Sequence, residues 1–107
     1  MRRISLTDYT SDEQPFNMRP SLVAVLFSEG KLDPREIIRR DELANHIEQC
    51  EEDTLLLEES DWRKLVSGLK ATDLAPYGRS VVEFCKRVLD APQVDIPGAR
   101  VQSDDDV

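Results

Sequence analysis

Histidine and tryptophan each occur once in this chain, cysteine twice and glycine four times. Each scarcity closes a class of function. A bilayer-spanning helix needs about 20 consecutive apolar residues, and no stretch approaches that. The opening MRRISLTDYTSDEQ has a basic start but no apolar segment behind it, so it does not read as a secretory signal, and a cytoplasmic protein is expected. Neither G-x-G-x-x-G nor G-x-x-x-x-G-K-[ST] occurs, so there is no glycine-built cradle for nucleotide phosphates. Cys50 and Cys85 lack C-x-x-C spacing and, without an export signal, read as thiols rather than as a bridge.

Positive charge is also short. Lys and Arg total 14 against 22 Asp and Glu, a net charge of -8. Such a field repels phosphate backbones and anionic membrane surfaces, so direct nucleic-acid and membrane binding are not expected. It suits solubility or a basic protein partner. A length of 107 residues with 39% hydrophobic content supports one modest core and one domain.

The pattern along the chain is mostly helical. Residues 1–19 read as an irregular segment, with Ile4 and Leu6 alternating as in a short strand. Pro20 to Phe27 reads as a short buried helix capped by Gly30, although Val23 and Val25 leave a buried strand open. Asp33-Pro34-Arg35-Glu36 carries a cap oxygen, a proline at the first helical position and a glutamate three residues on, so a helix starts there. Ile37, Ile38, Ala44 and Ile47 mark its expected buried face, with a break near Arg40-Asp41. Residues 54–57 form a strand or a tight connector.

Trp62, Leu65, Val66 and Leu69 then recur at i, i+3, i+4 and i+7, predicting an amphipathic helix over 59–72. Glu58 is its expected cap, with Leu57 and Trp62 placed for a hydrophobic staple. Ala75-Pro76-Tyr77-Gly78 breaks that helix. Ser80 and Glu83 read as a capping box for a last helix over 80–91, with Val81, Val82, Cys85, Val88 and Leu89 on its apolar side and Pro92 as its stop. The expected fold is therefore a mainly α, small single-domain bundle of three to four helices, with short extended segments near the N-terminus and at 54–57. Its parts are an N-terminal segment 1–19, a helical domain 20–91 and an acidic, flexible tail 92–107.

Chemistry finds little to work with. His46 and Cys50 are four apart and could share a helix face, with Cys85 as a third member. Adding Glu51 would complete four zinc ligands, but structural zinc sites bring ligands in close pairs on turns and only one such pair exists. The carboxylates from Glu48 to Asp61 have no EF-hand spacing and read as a solvated face or a docking surface. Arg39-Arg40 and Lys86-Arg87 read as salt-bridge partners on helix surfaces. No catalytic residue, cofactor or metal is expected.

Three stretches in order, PSLVAVLF at 20–27, LLLEESDWRKL at 55–65 and GRSVVEFCKRVLDAP at 78–92, resemble small acidic accessory proteins of tailed bacteriophages. The resemblance implies an assembly or host-interacting role exercised through protein contacts, in a virion or a host cytoplasm, and assigns no residue. The expected function is a protein–protein interaction or assembly module, self-associating or bound to a partner. The alternative is an acidic inhibitor or nucleic-acid mimic that blocks a basic site on an enzyme. Phe27, Leu55, Leu56, Leu57, Trp62, Val94 and Ile96 are the expected partner-binding residues, Trp62 because tryptophan is enriched at interface centres.

Overall fold

The computed structural model describes residues 1–94. Its elements are β1 (Arg2–Ser5), β2 (Tyr9–Ser11), β3 (Gln14–Phe16), α1 (Met18–Leu26), α2 (Pro34–Gln49), β4 (Thr54–Leu57), α3 (Glu59–Ala71), a 3-10 segment (Ala75–Val81) and α4 (Val82–Leu89). The fold is mixed rather than a purely helical bundle. Two small antiparallel sheets, β1 with β4 and β2 with β3, accompany four helices. No helix among the described residues is long and apolar enough to cross a membrane.

The short extended stretch expected near the N-terminus is β1, and the rest of segment 1–19, expected to be irregular, adds the β2–β3 hairpin. Ile4 of β1 lies opposite Leu55 of β4, and Ile4, Leu6, Leu55 and Leu57 are all buried. Period-2 alternation sends these side chains to the core face and Arg3, Ser5, Thr54 and Leu56 to the other. Residues 92–94, expected in the flexible tail, lie along the far side of β1: Arg3 N donates to Pro92 O at 3.0 Å and Val94 N to Met1 O at 2.8 Å. The β2–β3 hairpin turns through Asp12 and Glu13, both at positive φ (53° and 64°), which is the two-residue I′ geometry that matches strand twist.

Helix α2 starts where its residues dictate. Asp33 Oδ1 accepts from Glu36 N at 2.8 Å and Pro34 opens the first turn. It then runs unbroken through Arg40-Asp41. The expected break is absent, and Arg40 is buried rather than on the surface, its guanidinium meeting three acceptors at once. It donates to Glu36 Oε2 (2.8 Å), to Glu29 Oε2 (2.7 Å) and to the carbonyl of Leu26 at the end of α1 (2.9 Å). Ser67 of α3 donates to the same Glu29 oxygen at 2.7 Å. Arg40, Leu43, Ala44 and Ile47 form the buried face, whereas Ile37 and Ile38 are exposed.

Two further helix starts are capped from a distance. Asn17, at the N-cap of α1, makes no side-chain bond; Asp8 Oδ1 accepts from Met18 N at 2.8 Å instead. Gly30 does not cap α1, which ends at Leu26 with Phe27 as its cap residue. The expected Ser80–Glu83 capping box does not form. Ser80 Oγ donates to Tyr77 O, Glu83 pairs with Arg87, and α4 begins at Val82. Its first-turn amide at Phe84 is met by the Tyr9 hydroxyl, which accepts from Phe84 N at 3.1 Å and donates to Ser80 O. Tyr9 also stacks on Phe16, their centroids 4.9 Å apart, so the hairpin is fastened to the start of α4. Glu58 sits at the N-cap of α3 without a side-chain bond, while Leu57 and Trp62 both join the core cluster.

Candidate docking surface

Helix α3 packs its Leu65, Gly68 and Leu69 inward, toward α1, against which Gly68 lies very close. On the other flank, toward α4, stand Trp62 and Val66, four residues apart and half-buried against the core. Helix α4 buries Phe84 and Val88, flanked by the buried Val81 before it and Ala91 after it. Beside that buried line, Val82, Cys85 and Leu89 fall at i, i+3 and i+7 and so share a second face. Val82 is 48% and Leu89 44% exposed. The expected apolar side of this helix is thus split: Phe84 takes the core position, while Val82 and Leu89 turn outward.

Trp62 ties the two helices together. Its indole Nε1 donates to Val88 O at 2.7 Å, and the Arg2 guanidinium lies 4.0 Å above its ring. Arg2 in turn pairs with Glu59 (2.9 Å) and donates to Ala91 O (2.8 Å). That hydrogen-bonded pair, with Arg2 the main cause, holds the Glu59 carboxyl below its ordinary pKa. The α3–α4 seam therefore has a fixed indole at one end and a stripe of exposed aliphatic carbon along α4. Lys86 of α4 and Arg63 and Lys70 of α3 are exposed on the same two helices. Val82 and Leu89, two turns apart on one face of α4, are exposed together rather than singly scattered.

The sequence-expected partner residues separate into groups. Phe27 and Leu56 are exposed, at 41% and 38%. Leu55 and Leu57 are core residues and are withdrawn from the surface, because strand alternation exposes only the middle leucine of the three. Trp62 is half-buried at the rim of the seam. Val94 lies along β1 of its own chain, and Ile96 lies outside the described residues. Val66, Val82, Cys85 and Leu89 were not among the expected binding residues. For Val82, Cys85 and Leu89 the signal was an apolar arc on residues 81–89 of roughly 180°, wider than the stripe one core contact uses.

The candidate chemical residues are dispersed. His46 lines a shallow cleft of about 200 Å³ between α2 and α3 with Arg39, Glu42, Leu43, Asp61 and Lys64. Cys50 leaves the helix at its C-cap, and its thiol points to the carbonyls of Glu52 and Thr54. Cys85 is on α4, and burial pushes its thiol above the ordinary pKa, which favours the protonated form over a nucleophilic thiolate. No three His, Cys, Asp or Glu side chains are placed to share a metal among the described residues. A second cleft, about 160 Å³, opens between the hairpin, α1 and the 3-10 segment, lined by Phe16, Val25, Tyr77 and Phe84 among others. Its Ser21, Ser28 and Thr72 hydroxyls donate to helix carbonyls, so it presents mainly apolar surface. Compared with protein-family models, curated proteins and solved structures, the chain has no match.

Proposed function

We propose that this chain is a protein-docking module that engages its partner, or a second copy of itself, through the α3–α4 seam. The observation that carries this reading is the exposure of Val82 and Leu89 on one face of α4, with half-buried Cys85 between them, beside the anchored Trp62. Exposed aliphatic area of this kind gains about 25 cal/mol per Å² when a partner removes it from water, and a rigid indole at its edge loses little freedom on binding. The assembly setting implied by the phage resemblance is one in which such a surface would be used.

The test is a double variant, Val82→Asp with Leu89→Asp. Both positions are exposed, so circular dichroism and the melting midpoint should stay close to those of the parent protein. Sedimentation and affinity capture from the source cell should show an association that the parent makes and the variant loses, and that persists as salt is raised. An association that collapses with salt and ignores the variant would favour the acidic-mimic alternative. A strictly monomeric parent with no retained partner, or turnover of a small molecule, would defeat the docking reading.

A further inference from the structure

The outer edge of β4 is a second, separate feature. Leu6 N donates to Asp53 O, and Arg3 N donates away from β4 to Pro92 O. With Arg3 opposite Leu56 and Ser5 opposite Thr54, these are the non-hydrogen-bonded pairs of the ladder. The N–H and C=O of Thr54 and Leu56 therefore point out of the sheet. Among the described residues no backbone group bonds to those of Leu56, and Thr54 O is approached only by the Cys50 thiol at 3.7 Å. The strand itself holds no lysine, no proline and no bulge, the usual devices that blunt an edge. Leu56 also leaves its side chain exposed beside it.

Charge selects among the strands that could pair there. Glu51, Glu52 and Asp53 precede the strand and Glu58 follows it, all exposed. A second copy is disfavoured. In the antiparallel register that sets Thr54 against Leu56 of the other copy, Glu52 falls opposite Glu58, and like charges directly opposed destabilise a strand pair. An extended segment with lysine or arginine on both flanks meets carboxylates at each end, while an apolar residue between them covers Leu56. We infer that the β4 edge accepts, by strand addition, an extended segment of a partner protein with basic flanks around an apolar centre. The inference rests on the docking reading but uses a different surface from the α3–α4 seam.

The experiment is selection of a displayed library of random nine-residue peptides on the full chain, followed by titration of the most enriched synthetic peptide. Enriched peptides should carry Lys or Arg at both ends of an apolar-containing centre. Binding should shift the Leu56 amide resonance and slow its hydrogen exchange. N-methylation of alternate peptide amides should abolish it, because those N–H groups supply the ladder. Changing Glu51, Glu52 and Glu58 to Gln should weaken binding at least tenfold. The Val82→Asp, Leu89→Asp variant should leave peptide affinity unchanged, so loss of seam docking and loss of edge pairing are read separately. No enrichment of basic-flanked peptides, an unmoved Leu56 amide, or indifference to N-methylation would each overturn the inference.

Discussion

Gly68 of α3 lies against the carbonyl of Val25 in α1 so closely that a Cβ at this position would stand 2.0 Å from the oxygen. Two helices meet here backbone to backbone, and a glycine inside a helix, normally a cost of about 1 kcal/mol against alanine, is what lets them. Gly68→Ala should therefore destabilise despite its better helix propensity. We expect a net loss of about 2 kcal/mol, read as a fall of roughly 10 °C in the melting midpoint. An unchanged or raised midpoint would show that α1 and α3 can separate freely.

Arg40 and Glu29 make the clearest electrostatic prediction. Arg40 is 4% exposed; desolvation alone would lower its pKa, but its hydrogen bonds to Glu36 and Glu29 outweigh that and raise it. Replacing it with Met leaves the Glu36 carboxylate and the Leu26 carbonyl without this donor and Glu29 with only Ser67, so Arg40→Met should cost about 3 kcal/mol in urea unfolding. A loss below about 1 kcal/mol would mean water replaces the guanidinium at little cost.

Acid should act through the same cluster. The Ser67 hydroxyl, and then Arg40, hold the Glu29 carboxyl below its ordinary value of 4.5. A carboxyl depressed on folding adds stability that is complete above its unfolded pKa and is lost as pH falls through the folded one. Stability should thus be level near neutrality and decline below about pH 4.5. Glu29→Gln should reduce that decline, and equal slopes for the two proteins would place the acid-labile groups elsewhere.

Tyr9→Phe keeps the stack on Phe16 but removes the oxygen that meets Phe84 N and Ser80 O. A loss of about 1 kcal/mol is expected, with faster amide exchange confined to the first turn of α4. Uniformly faster exchange would mean the hydroxyl stabilises the whole fold rather than that helix start.

The hairpin tip should respond in the opposite direction. Glu13 sits at φ 64°, a conformation that costs a residue bearing Cβ roughly 1 kcal/mol more than glycine. Glu13→Gly should raise stability by about 0.5–1 kcal/mol in urea unfolding, and a decrease would show that the Glu13 side chain makes a stabilising contact.

What the sequence could determine by itself was whatever depended on neighbours a few residues away. The Asp33 cap acts over three residues, and the 3.6-residue spacing of Trp62, Leu65, Val66 and Leu69 placed α3 and its inward face. Burial beyond that needed the neighbours in space. Ile37 and Ile38 read as apolar positions but are exposed, because Arg40, Leu43, Ala44 and Ile47 set the buried face. Ile38, two residues from Arg40, lies on nearly the opposite side of the helix, and Ile37 lies at the edge of that face in the first turn. Which of Leu55, Leu56 and Leu57 faces out depends on pairing with β1, more than 50 positions earlier. The caps of α1 and α4 come from Asp8 and Tyr9, the latter 75 residues from the amide it meets. The docking surface divides in the same way. Trp62 stood out in the one-dimensional pattern, whereas Val82 and Leu89 became surface only once Phe84 took the core position on α4, a choice made by packing among elements distant in sequence.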